Sequence, residues 1–317
     1  MTLKDPIVFE PLAMERVWGG RRLETHLHKA LPPGISVGES WEIVDRVEAQ
    51  SVVHQGPLQG KTLHELWTDH RDEVFGAGVN GSERFPLLIK ILDARDKLSV
   101  QVHPPAAIAK SLGGEAKTEM WYFLHSEPGA KIYAGLKKGV TREAFEQLVQ
   151  NGKVEQGIHE IDVHDGESIF IPSGRLHAIG GGNLIIEAQQ NSDTTYRVFD
   201  WNRVGLDDNP RKLHVEQSLL SIDFSDYEPQ LSKPHGETLA DCPYFNVEKW
   251  ALTTARPAHD HASFAIFTAV EGEIECGGLR FQVGDFFLVP AVLHSMEIKP
   301  LSENAKALRI TVPQPVA

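Results

Sequence analysis

The chain reads as a series of short apolar runs cut by glycine, proline and polar turns, with few stretches of helical period. Runs rich in β-branched and aromatic residues stand at 51–54, 85–91, 98–102, 121–125, 132–133, 168–171, 184–187 and 196–199. They recur at 245–252, 264–270, 273–276, 280–283, 286–289 and 308–312. Runs of this length between turn residues predict strands. Helical patterns are short: 105–111, opened by a proline; 141–149, with Thr141 as N-cap and Phe145, Leu148 and Val149 on one face; 214–220; and a weaker one at 61–68. Many short strands without long helices between them predict an all-β protein of sandwich or barrel type, not a doubly wound sheet.

The segment 223–243 is polar and carries Pro229, Pro234 and Pro243, so it reads as a surface linker. It divides the chain into two β-rich domains, 1–235 and 236–317. A weak internal repeat supports two copies of one β motif: GESIFIP at 166–172 matches GDFFLVP at 284–290, and a histidine follows each, His177 or His294.

Composition narrows the class. Of 317 residues, 41% are hydrophobic and 24% charged, which fits a soluble globular chain with room for two cores. No apolar run reaches the roughly 20 residues a membrane helix needs. The opening MTLKDPIVFEPL lacks the apolar core of a secretory signal. Two cysteines, Cys242 and Cys276, make no disulfide framework, and the expected compartment is cytoplasmic. A net charge of -13 argues against nucleic acid or an anionic membrane as main partner. It leaves room for a local basic pocket that binds an anionic small molecule.

Candidate chemistry gathers at strand ends. The run 168–171 ends at Pro172-Ser173-Gly174, His177 follows, and Gly180, Gly181 and Gly182 turn the chain back toward Glu187 and Arg197. This predicts a strand, a tight turn and a strand, presenting His177 as a metal ligand. In KLSVQVHP (97–104), alternation sets Ser99, Gln101 and His103 on one face and Leu98, Val100 and Val102 on the other. A polar face on so apolar a strand is either a solvated edge or a metal or substrate site. Glu119 opens the next strand, as a third ligand or as an exposed carboxylate. Two histidines, a carboxylate and a neutral amide suit Zn²⁺, with Fe or Mn as alternatives.

Several of these segments carry a family pattern. Gly166, Pro172, Gly174 and His177 fit the second cupin motif, G-x5-P-x-G-x2-H, and Gln101-Val-His103 is similar to the first, with glutamine in place of its first histidine. Within the cupins the chain resembles type I phosphomannose isomerases, in VWGG (17–20), GESWEI (38–43), LSVQVHP (98–104), KTEMWY (117–122), IPSGRLHAIGGG (171–182), EAQQNSDTTYRVFDW (187–201) and PRKLH (210–214). The resemblance implies two cupin (jelly-roll) β-barrel domains and a single Zn²⁺ held by Gln101, His103, Glu119 and His177. It also implies an active site lined by Arg197, Glu187 and Lys117, with Ser99 and Lys90 as substrate contacts. The implied reaction interconverts mannose 6-phosphate and fructose 6-phosphate through a cis-enediol, with a sugar phosphate as the partner.

Each assignment has a plainer alternative: a salt bridge from Arg197 to Asp193 or Asp200, a structural ion pair for Glu187, a solvated side chain for Lys117, and a simple turn at residues 180–182. The second block departs from the metal pattern. His259, His261 and His294 stand near the ligand positions, but the place of the glutamate falls on Ala265 or Ile266. That block reads as a degenerate cupin that contributes packing. Two rival functions remain: a metal-dependent dioxygenase or decarboxylase, which Gln101 in place of histidine disfavours, and a non-catalytic sugar-binding protein, which the intact ligand set disfavours.

Overall fold

Apolar runs without strict alternation fold here into strands buried on both faces. The computed structural model describes residues 3–79, 81–259 and 263–313. Its first eleven strands are β1 (Leu12–Gly20), β2 (Val37–Ile43), β3 (Leu87–Ala94), β4 (Val100–Val102), β5 (Glu119–Ser126), β6 (Lys131–Leu136), β7 (Ile158–Asp162), β8 (Ser168–Ile171), β9 (His177–Ile179), β10 (Asn183–Gln190) and β11 (Tyr196–Phe199). They form a six-stranded sheet in the order β1-β2-β3-β10-β5-β8 and a five-stranded sheet in the order β11-β4-β9-β6-β7. Nine more follow: β12 (Thr238–Asp241), β13 (Asn246–Ala251), β14 (Arg256–Pro257), β15 (Ala265–Glu271), β16 (Ile274–Cys276), β17 (Leu279–Phe281), β18 (Phe286–Val289), β19 (Glu297–Pro300) and β20 (Lys306–Thr311). These make a five-stranded sheet, β12-β13-β20-β15-β18, and a four-stranded one, β14-β19-β16-β17.

The expected all-β character holds, with short helices at Ala106–Ala109, Arg142–Gln150, Val215–Ser221 and Leu63–Asp69 where helical patterns stood. None of the four sheets closes on itself. Both halves share one pairing scheme. In the first, β3 pairs with β10, β4 with β9, β5 with β8 and β6 with β7. In the second, β13 pairs with β20, β14 with β19, β15 with β18 and β16 with β17. The repeated segments at 166–172 and 284–290 thus fall on the equivalent strands β8 and β18.

The sheets stack in four layers. Trp121, Phe123 and Ile185 of the six-stranded sheet meet Ile132, Ala134 and Ile179 of its partner. On its other face Ile89, Ile91 and Ile186 meet Ile266, Leu288 and Ile310 of the second half. There Phe267, Phe287 and Ala307 turn the opposite way, against Ile274, Phe281 and Ile298. Alternation is absent from the β3, β15 and β18 runs because both sides are covered. Phe264 carries the second half into an aromatic cluster of the first, 5.3 Å from Phe75 and 5.5 Å from Phe85, with Trp67 4.9 Å from Phe75. Phe264→Ala should cost about 3–5 kcal/mol in urea unfolding, as for other fully buried phenylalanines; a loss under about 1 kcal/mol would show that this contact does not tie the halves together.

Two sequence readings need correction. The chain from 168 to 190 is not a hairpin: β8 and β10 lie in the six-stranded sheet and β9 in the other. His177 sits on β9 itself, between β4 and β6. The glycines make a corner between sheets: a Cβ on Gly180 would lie 2.3 Å from the Lys131 carbonyl oxygen, and one on Gly181 2.9 Å from that of Arg95. The segment 223–243 is not a free linker either. Ser232 N–H donates to Ser168, Glu228 N–H to Leu136, and the segment ends in β12, where Leu239 and Ala240 are buried. Its prolines and polar residues mask these anchor points. At the other end of the chain, Ile7 bridges to Leu288 of the second half.

Candidate active site

Strand register brings the polar residues together. Gln101 on β4 lies directly opposite His177 on β9 and Arg197 on β11. On the facing sheet, Lys90 on β3 lies opposite Glu187 on β10, and Glu187 opposite Trp121 on β5. These two rows confront each other across a cavity of about 450 Å³, which Ser99, Gln101, Lys117, His177, Lys90, Glu187 and Arg197 all line. β4 lies inside its sheet, between β11 and β9, so its polar face is no solvated edge.

His103, Glu119 and His177 form one buried cluster whose ligand atoms lie within 4.8 Å of one another. His103 Nε2 and His177 Nε2 each stand 3.4 Å from a different oxygen of Glu119. Each ring is fixed from behind: His103 Nδ1 donates to the Thr194 carbonyl and His177 Nδ1 to that of Arg175, both at 2.9 Å. That tautomer leaves both Nε2 lone pairs aimed at the centre. Burial, with the Lys117 cation nearby, holds His103 well below the usual histidine range; burial also lowers His177, against the pull of Glu119. Both shifts favour the neutral ring that a metal ligand must present. His103 Nε2 and both Glu119 oxygens are buried without a hydrogen-bond partner. Three such orphans cost several kcal/mol if nothing binds them, and their chemistry fits a divalent metal ion. Gln101 turns its amide nitrogen to His177 Nε2 at 3.3 Å and its oxygen to Ser99 Oγ at 3.1 Å; a half-turn of the amide would present the oxygen to the same centre.

Around this centre the cavity is basic within an acidic protein. Arg16, Lys90, Lys117, Arg197 and Arg211 face it, against Glu39, Glu187 and Asp193. Lys117 is buried, 3.6 Å from Glu119, so it is not a solvated lysine. Arg197 forms no salt bridge to Asp193 or Asp200: its Nε donates to Ser99 Oγ at 3.2 Å and its Nη1 to the Lys212 carbonyl at 3.0 Å, while Asp200 pairs with Arg203 and Arg211. Glu187 does have an ion-pair partner, Lys90 at 3.5 Å, and its Oε2 accepts from the Trp121 indole at 2.9 Å; its Oε1 has no hydrogen-bond partner. Burial, then the Glu119 charge, raises the Glu187 carboxyl, and Lys90 and Lys117 offset this only in part.

The structure adds wall residues that no sequence argument singled out: Arg16, Trp18, Glu39, Trp121 and Arg211. Most lie in or beside segments of the family pattern, but periodicity alone gave no reason to send β1 and β2 to this cavity. In the second half, the pairing of Ala265 with Val289 matches that of Glu119 with Ile171, so alanine occupies the place of the glutamate. His259 and His294 lie with ring centroids 6.2 Å apart, and His261 lies outside the described residues.

Comparison with known proteins gives the family of the chain. The family model for the catalytic domain of type I phosphomannose isomerase matches residues 8–129. Mannose-6-phosphate isomerase ManA of Bacillus subtilis is 35% identical over 312 residues, covering 94% of this chain and 97% of that one. Mannose-6-phosphate isomerase of Streptococcus mutans is 34% identical over 308 residues, covering 93% and 95%. The crystal structure of the mannose 6-phosphate isomerase from Bacillus subtilis superposes with a TM-score of 0.86 at 32% identity, covering 97% of this chain and all of that one. With near-complete coverage in both directions, the chain belongs to the type I phosphomannose isomerase family.

Proposed function

We propose that the protein is a zinc-dependent mannose-6-phosphate isomerase that interconverts mannose 6-phosphate and fructose 6-phosphate through a cis-enediol. The observation that carries this reading is the joint presence, in one basic cavity, of an orphaned His–Glu–His cluster and a buried carboxylate oxygen on Glu187 that has no hydrogen-bond partner. The reading takes one Zn²⁺ per chain, held by Gln101, His103, Glu119 and His177. It reads the two sandwiches as cupin jelly-roll domains, 1–235 catalytic and 236–317 degenerate. Nested pairing of eight strands in each half supports that fold. A cytoplasmic location fits the two free cysteines, Cys242 and Cys276, and among the described residues no helix is long and apolar enough to cross a membrane.

Isomerisation moves a proton from C2 to C1 of the open-chain aldose while the carbonyl passes from C1 to C2. A zinc ion held by Gln101, His103, Glu119 and His177 would supply Lewis acidity for polarising the substrate carbonyl. Glu187, with a raised pKa and an Oε1 that accepts no hydrogen bond, is suited to take the carbon-bound proton and return it to the neighbouring carbon. Arg197 keeps its charge and stabilises the developing oxyanion. Lys117 serves ring opening at the ring oxygen or contacts phosphate, and Ser99 and Lys90 contact the sugar phosphate. A coupled assay for fructose 6-phosphate formed from mannose 6-phosphate tests the reading: turnover is expected, lost on chelation and restored by Zn²⁺. No turnover by freshly purified, zinc-loaded protein would overturn it.

A further inference from the structure

Asp200 follows β11 directly and is only 5% exposed. Its carboxylate carries two arginines. Arg211 donates from Nε to Oδ2 at 2.7 Å and from Nη2 to Oδ1 at 2.6 Å. Arg203 donates from Nε and Nη2 to Oδ1, at 3.1 and 2.9 Å. The backbone is bent to make this fork. Trp201 and Asn202 both take positive φ, 57° and 55°, and the Arg203 N–H closes the turn onto the Asp200 carbonyl at 3.2 Å. Left-handed backbone is unfavourable for a residue as large as tryptophan. Trp201 is held there by its indole, which donates to the Leu98 carbonyl at 2.6 Å, and by Lys97 Nζ, 3.9 Å over the ring. The chain then loops out and returns where Val204 bridges to Pro210, which brings Arg211 back to Asp200.

The two arginines face different ways. Arg203 turns its Nη1 to the Lys97 carbonyl. Arg211 lines the cavity, and its Nη1 makes no hydrogen bond among the described residues. One carboxylate under two guanidiniums leaves net positive charge, whereas Lys90, Arg16 and Lys117 each stand beside a carboxylate of their own, Glu187, Glu39 and Glu119. His214 lines the cavity too. Its Nδ1 accepts the Arg197 N–H at 3.3 Å, so the ring proton sits on Nε2 as a further donor. The His214 N–H in turn donates to the Arg197 carbonyl at 2.7 Å, which places this segment one strand outside β11 and two strand spacings, about 10 Å, from Gln101 on β4. A sugar held by C1 and C2 at the metal cluster carries its C6 phosphate several bonds away, so the phosphate belongs at this end and not beside Lys117.

We infer that Asp200 is a positioning residue that fixes Arg211, with His214 beside it, as the anchor for the substrate's phosphate; the assignment rests on the isomerase reading. A planar guanidinium clamped along one edge by a carboxylate presents its remaining donors to phosphate oxygens in a fixed direction. The electrostatics agree: burial lowers Arg197, and the Arg211 charge lowers it further, a crowding of cations that a phosphate dianion relieves.

Mannitol 6-phosphate, the reduced form of mannose 6-phosphate, has no carbonyl to isomerise, so its binding to the zinc-loaded protein, followed by isothermal titration calorimetry, reads the subsite apart from turnover. Arg211→Met should weaken that binding about 10–100-fold, the loss expected of hydrogen bonds to a charged group, with zinc content unchanged. Arg211→Lys keeps the charge without the fork and should recover only part. Asp200→Asn should weaken binding at least about fivefold, yet cost nothing further when added to Arg211→Met, since it acts through the arginine. Asp200→Glu, which shifts the carboxylate by one methylene, takes its place in this cycle where the asparagine variant does not fold. Unaltered affinity in Arg211→Met would overturn the anchor, as would failure of the active, unaltered enzyme to bind the hexitol phosphate. Losses that multiply in the double variant would overturn the positioning role. Absence of mannose 6-phosphate turnover in the unaltered protein would strike the isomerase reading instead.

Discussion

His103→Ala and His177→Ala should each abolish both metal retention and turnover. Each ring is fully buried, locked through Nδ1 to a backbone carbonyl, and aimed through Nε2 at Glu119. Alanine removes one of two nitrogen donors and leaves Glu119, 1% exposed, with fewer partners still. Groups that merely orient a metal ligand are worth about 10–100-fold, so loss of a ligand should lower turnover by more than about 100-fold. The check is metal content per chain beside the specific activity, on protein whose fold is verified by circular dichroism. Stoichiometric metal retained by either variant would place the site elsewhere.

Arg197→Ala separates chemistry from metal binding. Arg197 lies beside the ligand row but touches no ligand of the His–Glu–His cluster; it is held by Ser99 Oγ and the Lys212 carbonyl. Its Nη2 makes no hydrogen bond among the described residues, which leaves donors for a substrate oxygen. Removing one preorganised cation from a site where negative charge develops costs about 10²–10³ in kcat. The variant should retain its metal and its unfolding midpoint while kcat falls in that range. Arg197→Lys restores the charge but not the planar fork, and should recover only part of the loss. Near-normal turnover in the alanine variant would remove Arg197 from the catalytic residues.

Strand identity was legible where an apolar run was long or bounded by glycine and proline: the runs at 168–171, 196–199 and 286–289 coincide with β8, β11 and β18. The strands β1, β2, β7 and β19 were not singled out, because Arg, Glu, Gly and Lys interrupt their apolar positions. The candidate metal cluster of His103, Glu119 and His177 was legible because alternation and motif spacing are local properties of the chain. The wall formed by Arg16, Glu39 and Arg211 was not, since it depends on pairing between strands far apart in the chain. The misread hairpin at 168–190 has the same cause. Glycines signal a turn, but whether the chain returns to its own sheet or crosses to the facing one is decided by long-range register. That register also settles the second half, where Ala265 rather than Ile266 replaces the glutamate.

Isomerisation should depend on one metal ion at the His103–Glu119–His177 cluster. Titration of Zn²⁺ into metal-stripped protein, with fructose 6-phosphate formation followed at each step, tests it directly. The stripped protein should show no turnover, then a linear rise and saturation at one zinc per chain. Turnover that survives complete removal of metal, or that rises only with a second equivalent, would contradict it.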